Sequence, residues 1–160
     1  MEKRRFLALL AALPLARVAA AAPQAGRFDP QRDAVADVEA AVTRARAEGK
    51  SVLVDVGGEW CAWCHILDRF IEARPEVQRT LEDHYVVVKV NWSPQNRNEK
   101  LLARWPKPSG YPHLYVLDGQ GRLLVSQATG ELEAGRDYDE QKMLAFLRRY
   151  APAARPGDKI

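Results

Sequence analysis

Residues 52–64 read Val52-Leu53-Val54-Asp55-Val56-Gly57-Gly58-Glu59-Trp60-Cys61-Ala62-Trp63-Cys64: an apolar run, two glycines, and two cysteines three residues apart. Ser51 to Val56 is a short β-branched run of the kind that forms a buried central strand, and Gly57-Gly58 breaks it. After the cysteines, Ile66, Leu67, Phe70 and Ile71 mark the inner face of a helix. The cysteines therefore fall where a strand hands over to a helix. Residues three apart on a helix share a face, so the two sulfurs can meet without backbone movement. At the helix N-terminus Cys61 feels unpaired N–H groups and the positive end of the dipole. Both draw its thiol down from the usual value of about 8.5. Cys61 is the predicted nucleophile toward a disulfide, and Cys64, one turn on and more buried, the thiol that resolves the mixed disulfide. Asp55 is a candidate to take the Cys64 proton, because burial raises a carboxyl into the range where it works near neutrality. The alternative for Asp55 is a solvated acid at a strand end.

Working back toward the start, Val35, Val38, Val42 and Ala45 recur at helical spacing after Asp33, a plausible N-cap, and Gly49 ends the pattern. Residues 23–32, rich in turn formers, read as a leader into the domain. Residues 1–22 have a basic start (Lys3, Arg4, Arg5), an apolar run from Phe6 to Ala16, and small residues from Val18 to Ala22. That is the layout of a cleavable signal peptide, with cleavage near Ala20 to Ala22. The apolar run is short of the roughly 18–20 residues that cross a bilayer, so no membrane span is expected after cleavage. Arg4-Arg5 leaves the export route open. Residues 1–22 hold four basic groups and one acid of the chain's 24 and 21, so the remainder is electrically balanced. The basicity of the chain belongs to its address and gives no support for a nucleic-acid or anionic-membrane partner.

Working forward, Pro75 suits the first turn of a short helix carrying Val77 and Leu81, and Tyr85 to Val90 is the next buried strand. Leu101, Leu102 and Trp105 suggest another helix, stopped by Pro106 and Pro108. His113–Leu117 and Arg122–Gln127 flank Asp118-Gly119-Gln120-Gly121, a hairpin signal. Met143, Phe146, Leu147 and Tyr150 give a last helix, and residues 151–160 a loose polar tail. Two strands joined through a helix pair parallel and a hairpin adds antiparallel strands. The expectation is one domain over 33–150, α/β in class, with a mixed sheet covered by helices on both faces.

Two cysteines in an exported chain can be a structural staple, but a bridge from 61 to 64 closes almost no loop and constrains the unfolded chain little. The segment 52–64, with its acid six residues before the first cysteine and a Trp directly before it, resembles the active-site segment of the thioredoxin-like superfamily. Its Trp-Cys-x-Trp-Cys motif is closest to an exported, periplasmic branch. Gly110-Tyr111-Pro112 is similar to that family's cis-proline loop, Lys89-Val90-Asn91 to its central strand, and Asp118-Gly119 to the turn before its final strand pair; the likeness covers roughly residues 34–150. The resemblance implies a thioredoxin fold and a thiol-disulfide oxidoreductase whose redox-active disulfide Cys61–Cys64 needs no metal or organic cofactor. It also implies that Asp55 assists Cys64, that Pro112 is cis, and that the Tyr111 backbone pairs with an extended client. Protein thiols and disulfides are the expected substrates, a membrane thiol carrier the expected redox partner, and a monomer the expected state.

Ala62-Trp63 replaces the Gly-Pro of typical thioredoxins and His65 a common Lys. Dithiols of this kind span about −270 to −120 mV, worth about 7 kcal/mol, so the direction of electron flow is left open, with reductase or interchange activity preferred over oxidase. Cys61-Ala62-Trp63-Cys64-His65 also matches a c-type haem attachment pattern, and a redox-inactive binding module of the same fold is a further alternative. A zinc site lacks ligands, with His84 and His113 expected to serve surface or packing roles. Trp60 and Trp63, flanking a reactive thiol on an exposed turn, are expected to contact client protein, and Trp92 and Trp105 to pack in core or loop. His65 is a candidate to tune Cys61. Asn91-Trp92-Ser93 fits a glycosylation sequon but is discounted, because Asn91 ends a buried strand.

Overall fold

A computed structural model describes residues 27–153. Residues 1–22, read from the sequence as a signal peptide, the first residues of the stretch read as a leader, and those from 154 onward lie outside the described residues. No helix among the described residues is long and apolar enough to cross a membrane.

Helix α1 (Ala34–Glu48) starts where Asp33 accepts from the N–H groups of Val35 and Ala36, and stops at Gly49, whose φ of 69° only glycine adopts without strain. Strand β1 (Ser51–Gly57) is buried at every position. Helix α2 (Ala62–Glu72) leads into α3 (Pro75–His84), with Pro75 in the first turn as the sequence suggests. Strand β2 (Tyr85–Asn91) returns parallel to β1, in a register that sets Asp55 against Lys89. Strands β3 (His113–Leu117) and β4 (Leu123–Ala128) form the expected hairpin, and α5 (Glu140–Tyr150) closes the domain.

The sheet order is β2-β1-β3-β4, parallel between β1 and β2 and antiparallel elsewhere, so the central strand carries the site at its C-terminal end. Alternation along β1 divides the core. Val52, Val54 and Val56 face α1, together with Val86, Val88 and Val90. Leu53 faces the other way, onto Leu67 and Phe70 of α2, Val77 and Leu81 of α3, and Leu144 and Leu147 of α5. Helices on both faces of a mixed sheet are what the sequence leads one to expect.

Two elements differ. The helix expected to carry Trp105 is only the turn α4 (Glu99–Leu102). Asn98 enters it at a φ of 47°, and the prolines at 106 and 108 leave no room to extend it. Trp105 instead lies on Tyr115, with ring centroids 4.8 Å apart. Between β4 and α5 a 3-10 turn (Thr129–Leu132) leads into a two-residue hairpin, β5 (Glu133–Ala134) and β6 (Asp137–Tyr138), closed through Gly135. Strands of two residues are too short for any periodicity to announce.

Leu147 is wholly buried between α5 and the sheet, whereas Leu124 on β4 is 46% exposed. Leu147→Ala is expected to cost about 2–5 kcal/mol in denaturant unfolding of the oxidised protein, and Leu124→Ala less than about 0.5 kcal/mol.

Candidate active site

The turn that carries the cysteines is built by close approach. A side-chain carbon placed on Gly57 would lie 2.4 Å from Cys64 Sγ, and one on Gly58 would lie 2.3 Å from the Trp60 indole nitrogen. Gly57 must therefore be bare for α2 to seat its first turn on the end of β1, and Gly58 leaves room for the Trp60 indole beside the Trp92 carbonyl. The Cys61 N–H donates to the Gly58 carbonyl, and Cys61 then caps α2, its sulfur accepting from the Cys64 N–H at 3.2 Å. The expected helix-start position of Cys61 is thus observed directly. Cys61 and Cys64 form a disulfide with their Cα atoms 5.2 Å apart.

The sequence places the dithiol on an exposed turn, and the structure corrects this. Cys61 keeps 3% of its surface and Cys64 none. Their cover comes from the half-buried Trp63 and Tyr111 and, most closely, from Phe28. Phe28 lies in the stretch 23–32 expected to be only a leader, so that boundary also needs correction. The residue is 2% exposed, its N–H donates to Glu59 Oε1 at 3.1 Å, and its ring meets Gly57. Its burial was not legible because an isolated Phe among turn formers has no periodic partners.

Tyr111–Pro112 is a cis peptide, as the resemblance implies. Thr129 in the 3-10 turn donates its hydroxyl to the Pro112 carbonyl at 2.7 Å, which ties that loop to the end of β4. Tyr111 stacks on Trp92 at 4.8 Å, and Trp60 stands edge-on to both rings while its indole N–H donates to the Trp92 carbonyl at 2.8 Å. Trp60 is 54% exposed, so the mouth of the site is an aromatic cluster with one face in water. Trp63 turns the other way and packs edge-on against Tyr138.

Asp55 is buried, two residues before Gly57 on the same face of β1, which puts it on the side where Cys64 sits. Burial pushes its carboxyl above the usual range, and the ammonium of Lys89, 3.2 Å away, works against that rise. Lys89 is shared, with Asp68 of α2 at 2.5 Å. Burial alone would draw the ammonium down, but the two carboxylates outweigh it and hold it charged. Asp55 Oδ1 has no hydrogen-bond partner among the described residues. Asp55, Asp68 and Lys89 line a cavity of about 410 Å³ that runs behind α2, past Leu53, Leu67 and Val87. The strand-end, solvated alternative for Asp55 does not hold. Sequence reasoning overlooked Asp68 and its bond to Lys89, although its place four residues after Cys64 on an amphipathic helix was a usable signal.

The remaining sequence candidates find packing roles. The His65 ring nitrogen Nε2 lies 2.9 Å from the Glu59 carbonyl and donates to it, bracing the turn. His113 is buried in β3 beside Ser126, and burial lowers its pKa. The Asn91 side chain donates to Ser93 and to the Asn96 carbonyl, as a buried strand end requires. Among the described residues no three His, Cys, Asp or Glu side chains gather into a metal-binding set.

The family model described as thioredoxin-like matches residues 33–119, more than half of the chain. A thiol:disulfide interchange protein DsbD of Pseudomonas fluorescens is 30% identical over 117 residues, which span 72% of this chain and 18% of that protein. The DsbD of Citrobacter koseri is 31% identical over 77 residues, 48% of this chain and 13% of that one, so the chain spans less than a fifth of these relatives. Among solved structures, a disulphide isomerase from Xylella fastidiosa Temecula1 superposes with a TM-score of 0.66 at 25% identity, covering 76% of this chain and 94% of that one. On the match over residues 33–119 and the shared fold, the chain belongs to the thioredoxin-like family.

Proposed function

We propose that this protein is a thiol-disulfide oxidoreductase that exchanges disulfides with protein clients through Cys61 and Cys64. The observation that carries the reading is the Cys61–Cys64 disulfide at the first turn of α2, backed by a buried carboxyl and a shared lysine. The relatives named as thiol:disulfide interchange proteins and as a disulphide isomerase support the same chemistry. A purely structural bridge would not need a buried, destabilising Asp55 behind it.

In the reduced protein, Cys61 attacks a client disulfide and the departing client sulfur leaves as a thiolate. Cys64 then surrenders its proton to Asp55 and displaces the second client sulfur from Cys61. Lys89 steadies the carboxylate that takes the proton, and Asp68 holds Lys89 in place. An extended client segment lies against the backbone of Tyr111 beside Pro112, with Trp60 offering it aromatic surface, while Trp63, packed on Tyr138, does not. The electrons move between thiols alone, with no metal or organic cofactor. The site works outside the cytosol, in the periplasm or cell envelope, on the strength of the signal-like residues 1–22. A membrane thiol carrier re-reduces it, in the reductase or interchange direction, and the mature protein acts as a monomer.

The reading is tested by insulin-disulfide reduction. Cys61→Ser is expected to abolish it, while Cys64→Ser should accumulate a mixed disulfide with the client; an inert wild type or an active Cys61→Ser protein overturns it.

Asp55 gives a second test with a definite sign. The folded state raises its pKa, so folding favours the protonated form, and stability is lost as pH rises from the unfolded carboxyl range through the folded value. Asp55→Asn should therefore raise the melting temperature at pH 8 more than at pH 4. It should also slow release of client from the mixed disulfide by about tenfold or more and remove the alkaline rise of that step. A parallel change in melting temperature at both pH values would show that Asp55 is not held above its ordinary range.

A further inference from the structure

We infer that Phe28 is the water seal of the buried cysteine Cys64, a positioning residue that leaves Cys61 as the one of the two thiols that outside molecules can reach. The inference takes its purpose from the disulfide-exchange reading, but its test does not depend on it.

Three buried residues make up the cluster at the dithiol, Phe28, Cys61 and Cys64, and only Cys64 has no exposed surface at all. Phe28 is the one of them that is not a cysteine, and it arrives from outside the segment 33–119 that the family model matches. Its ring closes on the gap left by the missing side chain of Gly57, the same gap that Cys64 Sγ occupies. The ring centroid is 4.3 Å from Lys89 Nζ, so the seal also covers the ammonium that faces Asp55. The segment is fastened at two points. The Phe28 N–H donates to Glu59 Oε1 at 3.1 Å, and the Asn96 side chain donates to the Pro30 carbonyl at 2.9 Å. A ring clipped on both sides and 2% exposed is placed, not adventitiously buried.

The chemistry needs such a wall. In the mixed disulfide, Cys61 Sγ is bonded to a client sulfur. Cys64 passes its proton to Asp55, its Sγ bonds to Cys61 Sγ, and the bond from Cys61 to the client breaks. The client sulfur departs with the electron pair and takes a proton from water. The dithiol has lost two electrons and the client disulfide has gained them. A solvated Cys64 would ionise more readily and could meet clients or oxidants itself, so the two sulfurs would lose their separate roles. Burial in apolar surroundings keeps a thiol protonated, and Phe28 supplies that surrounding on the side α2 does not cover. The ionisable groups on the elements that meet there are Asp55 and Lys89 from the sheet, Asp68 and His65 from α2, Glu59 from the turn and Tyr111 from the cis-proline loop.

The test isolates Cys64 in a full-chain Cys61→Ser background and follows its alkylation by iodoacetamide against pH, by mass spectrometry. With Phe28 in place, Cys64 should react slowly, with an alkaline midpoint. Phe28→Ala should lower that midpoint and raise the rate at pH 7 by about tenfold, the gain in thiolate that accompanies a one-unit shift. Phe28→Leu, which keeps most of the apolar volume, should fall between the two, and it decides the matter if the alanine variant is unfolded by far-UV circular dichroism. An unmoved midpoint in a folded variant overturns the inference, whether the rate is unchanged or rises equally at every pH, the mark of simple loosening. Alkylation needs no client, so a wild type inert toward insulin would remove the exchange reading while leaving this result to stand or fall alone.

Discussion

The sulfur of Cys64 lies where the side chain of residue 57 would be, and much of the site depends on that substitution of sulfur for carbon. Because Gly57 is bare, the first turn of α2 can sit directly on the end of the central strand. Cys61 then becomes the N-cap of that helix, and its sulfur accepts a backbone N–H rather than pointing into water. The cap supplies the field that favours a thiolate, and the contact with the strand supplies the burial that disfavours one at Cys64. One close approach thus gives two chemically identical side chains different surroundings, the difference on which the proposed attacking and resolving roles rest.

The same seating brings α2 down over the polar positions of β1 and β2. Asp55 and Lys89 are register partners on neighbouring parallel strands, and Asp68 reaches them from the helix above. A buried pair of this kind is a weak source of stability, because the desolvation of both charges offsets their attraction. Its presence inside an otherwise apolar sheet is accounted for by the proposed function, in which Asp55 takes a proton from the neighbouring thiol. Stability comes instead from the two apolar faces, Val52, Val54 and Val56 against α1, and Leu53 with α2, α3 and α5 on the other side. The mouth is finished by residues remote in sequence. Trp92 from the end of β2 and Tyr111 from the cis-proline loop stack together, Trp60 leans on both, and Thr129 fixes the loop from below.

How much of this was legible varies with the range of the interaction. Asp33, Gly49 and Pro75 mark helix ends through hydrogen bonds within a turn or so, and the structure puts each where the sequence does. The alternation of β1 and the hairpin around Asp118–Gly121 are equally local. Trp105 was drawn into a helix because Leu101 and Leu102 precede it at helical spacing. Its position is decided instead by Tyr115, ten residues on, whose ring receives it. Phe28 reads as part of a leader because nothing adjacent in sequence shares its character; its partners are Gly57, Glu59 and Lys89.

By itself the sequence determined the order and kind of the main elements, the helix-start position of Cys61 and the pairing of Cys61 with Cys64. These follow from short-range sterics, from periods of 2 and 3.6, and from the three-residue spacing on a helix. Only the tertiary structure decided how wet each group is. Whether Asp55 is solvated or buried, and whether Cys64 is accessible, depends on Lys89, Asp68 and Phe28 arriving from other parts of the chain. Solvation is a property of what surrounds a group in space, and a one-dimensional pattern does not contain it.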